Sequence, residues 1–244
     1  MEKPLVIIPT YNEKENIDEV LERVDSLPIK FDVLFIDDNS PDGTANIIRE
    51  TQQKKSNIFL LERKSKLGLG TAYLAGFKWA LEKDYAYIFE MDADLSHNPS
   101  DLIRLFDALL KDGADLAIGS RYVSGVNVIN WPLGRVLLSY LASVYVRLVT
   151  GMKIMDTTAG FKGYRRNVLK TINLDKIKLK GYGFQIEMKF HTFKYGFKIV
   201  EIPIVFTNRV RGVSKMSGGI FHEALLGIIR LKWKSLFISY KKSQ

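Results

Sequence analysis

The 244-residue chain has no cysteine. That absence excludes a disulfide framework, thiolate metal sites and a cysteine nucleophile, and it permits residence in the cytosol. Histidine is scarce as well, and two of the three, His191 and His222, have no partner identifiable in the sequence. No stretch reads as a linker, repeat or low-complexity segment, so a single domain over 1–244 is expected. Met1-Glu2-Lys3-Pro4 leads straight into a strand-like run, without the regions of a secretory leader. Acids are missing from two places. Between Thr207 and Gln244, Arg209, Arg211, Lys215, Arg230, Lys232, Lys234, Lys241 and Lys242 face only Glu223, and this segment holds +7 of the net +9. Between Ser120 and Met155, Arg121, Arg135, Arg147 and Lys153 face no acid. Such zones are either a solubilising surface or the footprint of an anionic partner: phosphate groups, anionic lipid or nucleic acid.

What is present suits a large core, with 46% hydrophobic and 26% charged residues. Strand and helix patterns alternate over 1–119. Leu5–Ile8 reads as a buried strand, and Asn12 with Glu15 reads as a capping box opening a helix. Strands are expected at Phe31–Ile36, Asn57–Leu61, Tyr85–Met91 and Leu116–Ile118, with helices between them. Repeated β-α units imply an α/β fold, a mostly parallel sheet with helices on both faces. Ligands of such sheets sit at the carboxyl ends of the strands. The second half, 120–219, changes style. It offers a long apolar helix (Leu133–Val149), a strand near Gly160–Tyr164, a helix from Phe184 and a strand over Lys198–Phe206. A basic amphipathic helix fills 220–244.

Three strand ends are acidic. Asp92-Ala93-Asp94 follows the fourth strand, and two carboxylates so close cannot both be buried without a cation. Hard oxygen ligands suit Mg²⁺ or Mn²⁺, which take one or two carboxylates plus substrate phosphates. Asp37-Asp38 ends the second strand, and Pro9-Thr10-Tyr11-Asn12-Glu13 ends the first with an aromatic ring and another carboxylate. Turn chemistry would account for either segment alone. Together they match a sugar-nucleotide site, with groups for base and ribose and a metal for the diphosphate.

Six segments occur in order: Pro9–Glu13, Asp37–Thr44, Met91–Pro99, Gly119–Tyr122, Asp156–Arg165 and Arg209–Met216. By these the chain resembles glycosyltransferase family 2 and, within it, the polyprenol (dolichol) phosphate mannose synthases, over about residues 4–218. The Asp92–His97, Asn130-Trp131-Pro132 and Arg211–Lys215 segments are the more specific ones. The resemblance implies a GT-A (Rossmann-like) fold using GDP-mannose and Mg²⁺ or Mn²⁺. Pro9, Tyr11, Glu13, Ile36 and Asp38 would hold the guanosine part. Asp92, Ala93 and Asp94 would contact the sugar nucleotide, with Asp94, Asp92 and Ser96 on the metal. Some relatives carry Gln where Ser96 stands, so Ser96 would ligate directly or through a water. Arg121, Arg209 and Lys215 would hold the diphosphate and the reacting phosphate. His97 reads as a structural neighbour of this site rather than a ligand. Relatives of one type append transmembrane helices at the C-terminus; none is expected before Gln244.

The helix Leu133–Val149 points to the acceptor. Arg135, Ser139, Ser143 and Arg147 recur every four residues as one polar stripe on an otherwise apolar helix. The uncharged run between the arginines is 11 residues, about 17 Å, against a bilayer core of about 30 Å. The helix is therefore expected to lie in a membrane interface, its stripe toward the site; a buried core helix is the alternative. In relatives the positions of Arg135 and Ser139 receive a polyprenyl or dolichyl phosphate. A phosphate monoester is already an oxyanion and needs cations rather than a general base. One in-line displacement, inverting α-linked GDP-mannose to a β-mannosyl phosphoryl lipid, is the expected reaction. Alternatives are transfer of another sugar, such as glucose, or a hydroxyl acceptor with Glu187 or Asp156 as base. Thr207–Gly219, with three glycines and three bases, suits a phosphate-covering lid. The C-terminal helix suits an anionic membrane surface or a small membrane-anchoring subunit, or packing on its own domain. Peripheral attachment to the cytoplasmic face of a membrane follows. No nucleic-acid-binding motif appears, and acidic strand ends would repel a phosphate backbone.

Overall fold

A computed structural model describes residues 3–208 and 219–241, with side chains in the last helix described from Leu225. On β1 (Pro4–Thr10), Leu5 and Ile7 enter one hydrophobic core while Val6 and Ile8 enter another, all fully buried. A strand can do this only inside a sheet covered on both faces. β2 (Asp32–Asp37) repeats the division, with Leu34 and Ile36 on the first side and Val33 and Phe35 on the second.

β1, β2, β3 (Ile58–Glu62) and β4 (Tyr87–Glu90) are parallel neighbours. They alternate with α1 (Ile17–Asp25), α2 (Thr44–Lys54) and α3 (Leu69–Glu82), and α4 (Asp101–Leu110) leads to β5 (Leu116–Ser120). Beyond β5 come a short β6 (Val128–Ile129) and the long helix α5 (Leu133–Thr150). β7 (Lys162–Arg165), α6 (Arg166–Thr171), α7 (Tyr182–Lys194), β8 (Ile199–Pro203), β9 (Phe206–Thr207) and α8 (Gly219–Ser235) follow. The main sheet runs β3-β2-β1-β4-β7-β5-β8. Only β7 is antiparallel to its neighbours, so the expectation of a mostly parallel α/β sheet holds.

Two local expectations are corrected. Asn12 does not cap a helix: it takes a left-handed φ of 55°, and α1 starts at Ile17. Its N–H donates to Ser40 Oγ (3.0 Å), because the loop after β1 is stitched to the loop after β2. The single strand expected over Lys198–Phe206 is two. β8 ends at Pro203, whose ring offers no ladder N–H, and β9 leaves the main sheet to pair with β6.

Insertion of β7 sets a tight packing condition. A Cβ on Gly163 would lie 2.3 Å from Phe89 Cε1 and 2.5 Å from Cδ1, where no carbon fits. Gly163→Ala should therefore destabilise the fold by about 1–3 kcal/mol through overpacking. Urea unfolding checks this, and an unchanged midpoint would contradict the close approach.

Candidate active site

The carboxyl ends of β1, β2 and β4 lie side by side, because these strands are parallel and adjacent. The two acids after β2 divide their work. Asp37 is fully buried and builds the turn, accepting hydrogen bonds from Thr10 Oγ1 (2.9 Å), Ser40 N–H (2.9 Å) and Ser40 Oγ (2.6 Å). Asp38 takes its N–H to Thr10 O (3.1 Å) and its carboxylate to Arg63, which also donates to Thr71 Oγ1 (2.7 Å). The loop after β1 is fixed by Glu13 N–H to Thr44 Oγ1 (3.1 Å) and Lys14 N–H to Asp42 Oδ2 (3.2 Å). Pro9, Tyr11 and Glu13 are thereby left partly exposed at this edge, and Lys66 Nζ sits 4.3 Å from the Tyr11 ring. Ile36 differs from expectation. Its side chain is sealed in the core at 0% exposure, so only its main chain could meet a nucleotide.

After β4, Asp92 accepts from the Tyr73 hydroxyl (3.3 Å) and lies 4.0 Å from His97 Nδ1. Asp94 Oδ1 accepts the Ser96 N–H (3.1 Å), while Ala93 and Ser96 are buried. Burial pushes the Asp92 carboxyl up; His97 opposes that shift and the neighbouring Asp94 charge adds to it. His97 is buried against Phe161, ring centroids 4.8 Å apart, and burial holds its pKa below the usual imidazole value. No cluster of three His, Cys, Asp or Glu that could hold a metal occurs among the described residues. The chain thus offers two carboxylates, one with a raised pKa that a cation would relieve. That donor set fits Mg²⁺ or Mn²⁺ completed by substrate phosphates.

Beneath these acids lies a charged layer that sequence reasoning missed. Glu90 and Lys162 are direct cross-strand partners on β4 and β7, both at 0% exposure, 2.8 Å apart. Gln185 on α7 donates to Glu90 Oε2 (2.9 Å) and accepts from Lys162. The buried Lys189 Nζ, one helical turn on, donates to the carbonyls of Thr157 (3.0 Å) and Ala159 (2.6 Å), and burial pushes its pKa well below the ordinary lysine value. The only signals for this layer were Glu90 at the end of the otherwise uncharged β4 and Lys162 at the start of β7.

Arg121 is held, not free. Its Nε and Nη2 grip both oxygens of Asp156 (2.6 Å each), and Nη2 also reaches Thr158 Oγ1 (2.8 Å). Asp156 is fully buried; burial raises its carboxyl, Arg121 outweighs that and keeps it below the usual carboxylate range, and both its oxygens are committed to the arginine. Glu187 accepts the N–H groups of Lys178 (2.9 Å) and Leu179 (2.8 Å) and is likewise consumed. Both bases proposed for a hydroxyl acceptor are thus removed. α5 carries its polar stripe inward. Ser143 is fully buried, Arg135 Nη1 donates to Asn208 Oδ1 (3.1 Å) and Arg147 Nη1 meets Met155 S (2.9 Å). Leu133, Leu137, Leu138, Leu141 and Leu148 point outward, so the helix is no core helix. It is long and apolar enough to cross a membrane by length and composition, with 17% of it buried. Thr207 N–H donates to Ser96 O (3.1 Å) and Asn208 N–H to Ile129 O (3.0 Å), so the strand preceding Arg209 is tied beside the Asp94 turn. Arg209, Lys215 and most of the expected lid lie outside the described residues.

Comparison with known proteins agrees with this geometry. The model of glycosyl transferase family 2 matches residues 5–172. An undecaprenyl-phosphate mannosyltransferase of Micrococcus luteus is 45% identical over 236 residues, covering 95% of this chain and 96% of the relative. A polyprenol monophosphomannose synthase of Mycolicibacterium smegmatis is 48% identical over 228 residues, covering 93% and 86%. A dolichol-phosphate mannosyltransferase of Pyrococcus furiosus is 38% identical over 95% of this chain, which spans 64% of that longer protein. Among solved structures, glucosyl-3-phosphoglycerate synthase of Mycobacterium tuberculosis with Mn²⁺, UDP and phosphoglyceric acid superposes with a TM-score of 0.68 at 17% identity. It covers 98% of this chain and 80% of that one; the same enzyme with Mg²⁺ and UDP gives 0.66 at 18%, again over 98% and 80%. These likenesses show a shared GT-A type of fold. With the family model matching residues 5–172, β1 to β7 of the main sheet, and two relatives matched nearly end to end, the chain belongs to glycosyltransferase family 2.

Proposed function

We propose that this glycosyltransferase moves mannose from GDP-mannose to a polyprenyl phosphate, releasing GDP and leaving a β-mannosyl phosphoryl lipid. The observation that carries the reading is α5, which holds Arg135 against Asn208, next to the strand tied to the Asp94 turn, buries Ser143, and turns leucines toward solvent. A soluble acceptor gives no reason for that inversion. A lipid with an anionic head gives both halves of it. The relatives, an undecaprenyl-phosphate mannosyltransferase, a polyprenol monophosphomannose synthase and a dolichol-phosphate mannosyltransferase, support the same acceptor class.

Tyr11, Glu13, Asp38 and Pro9 form the guanosine edge, with the Ile36 main chain behind them. Asp94 and Asp92 would hold Mg²⁺ or Mn²⁺, which when bound neutralises the diphosphate of the departing nucleotide. Ser96 already fixes Asp94 through its N–H and would complete the set by its hydroxyl or a water. The acceptor phosphate, received by Arg135 and Ser139, attacks the anomeric carbon with one of its oxygens. The bond from that carbon to the GDP oxygen breaks, and its electron pair leaves with GDP. No proton need be removed, which fits a site whose candidate bases are spent on structure. Arg121, aligned by Asp156, and Arg209 with Lys215 reduce the repulsion between the two phosphate-bearing substrates.

α8 packs on α5 through Tyr145 Oη to Leu225 O (3.0 Å) and Lys232 Nζ to Thr150 O (3.2 Å). It adds exposed Leu226, Ile229 and Trp233, with Leu236 and Phe237 just past its end, beside the exposed Arg230 and Lys234. This joint surface would rest on the cytoplasmic face of an anionic membrane, the basic groups near lipid phosphates.

Two experiments test the reading. Incubation with radiolabelled GDP-mannose, polyprenyl phosphate and Mg²⁺ should carry label into the organic phase, and Asp94→Asn should lower that rate by at least about 100-fold. Label confined to the aqueous phase with the wild-type chain would refute the reaction. Vesicle flotation should lose about tenfold or more of the bound protein in the Leu137→Asp/Leu141→Asp variant while GDP affinity stays unchanged. Undiminished flotation would remove the membrane role from α5.

A further inference from the structure

The turn Asn130-Trp131-Pro132 joins β6 to α5. Asn130 adopts a left-handed φ of 59°, and Pro132 stands at the helix N-cap. Between them Trp131 is placed under two arginines. The Arg135 guanidinium carbon lies 4.0 Å from the indole centroid, and that of Arg121 lies 5.5 Å from the same ring. Phe206 of β9 meets the indole edge-on at 5.2 Å, and Phe206 and His97 also meet edge-on at 5.2 Å. An aromatic row thus runs from beside Asp92 to the start of α5. The indole N–H is buried without an acceptor among the described residues.

The two guanidinium groups share one ring and so stand no more than about 10 Å apart, close enough to repel. Arg121 has Asp156 to offset this. Arg135 forms no ion pair among the described residues. What holds it is one hydrogen bond to Asn208 Oδ1 and the face of Trp131. A carboxylate in that place would neutralise Arg135 before a phosphate arrived, whereas a ring quadrupole orients the cation and leaves its charge available.

We propose that Trp131 is a positioning residue for the acceptor: its indole face sets the Arg135 guanidinium in place, beside Arg121, to receive the lipid phosphate. The inference rests on the reading of Arg135 as an acceptor ligand. It goes further by making the placement of the phosphate-receiving arginine depend on an uncharged side chain, and by making ring character, rather than bulk, the property that matters.

The test compares Trp131→Leu, Trp131→Phe, Arg135→Ala and the Trp131→Leu/Arg135→Ala double variant, each for acceptor KM with a short-chain polyprenyl phosphate, GDP affinity and thermal unfolding. Trp131→Leu should raise acceptor KM about tenfold with GDP affinity within about twofold, and Trp131→Phe should recover most of the loss. The double variant should be no worse than Arg135→Ala alone, because the indole acts through that arginine. Multiplying effects, or a phenylalanine no better than leucine, would overturn the proposal. So would a GDP affinity that falls in step with acceptor KM. If Trp131→Leu does not fold, Trp131→Phe with and without Arg135→Ala carries the same comparison. An unchanged KM in Arg135→Ala would instead strike the acceptor assignment itself, whereas an effect in Arg135→Ala with none in Trp131→Leu would strike only this inference.

Discussion

The ion pair of Glu90 and Lys162 is the constraint around which the site is arranged. Two opposite charges at full burial, on strands running in opposite directions, admit one register of β7 against β4. Removing either partner would strand the other in the core, at a cost of about 3–5 kcal/mol. Gln185 brings α7 into the same cluster, and Lys189 on that helix fixes the carbonyls of the loop carrying Asp156. The position of Arg121 therefore depends, through Asp156, on a helix it does not touch by hydrogen bond or ion pair. Burial raises the Glu90 pKa and lowers that of Lys162, while each partner's charge opposes the other's shift.

Charge at the mouth of the sheet is handled by a different rule. Asp38 and Asp156 each have a dedicated arginine, whereas among the described residues Asp92 meets a tyrosine hydroxyl and a nearby imidazole. The paired acids orient cations, and Asp92, beside Asp94, is the one that the proposed metal would use. The same division appears among the arginines. Arg121 is braced by a carboxylate, and Arg135 by a ring and an amide oxygen. A site that must bring two phosphates together benefits from cations that are oriented but not neutralised.

Much of this was legible in the chain. The alternation of Leu5, Val6, Ile7 and Ile8 carried the two-sided sheet, and the acids after three strands marked a candidate site whose three loops the sheet brings side by side. The four-residue recurrence from Arg135 to Arg147 carried a helix with one polar face, and the structure shows which way it points. Other features were hidden because they depend on contacts distant in sequence. Asn12 and Glu15 have the composition of a capping box, yet the partner that decides the conformation of Asn12 is Ser40, on another loop. Lys198–Phe206 is apolar enough to read as one strand despite Pro203, and the pairing of β9 with β6, a contact distant in sequence, is what sends its end away from the main sheet. Glu90 and Lys162 are 72 positions apart and become neighbours through an antiparallel insertion that no periodicity announces. Asp156 and Glu187 have the chemistry of bases, and their hydrogen bonds to Arg121, Lys178 and Leu179 take that role away.

The outward leucines of α5 also bear on how the molecule behaves once it is away from lipid. Water rewards any surface that hides them, whether a detergent micelle, a chromatography resin or a second copy of the chain. Aggregation number and elution position will therefore follow the amphiphile in the buffer, and a dimer seen in plain saline describes the solvent rather than the enzyme.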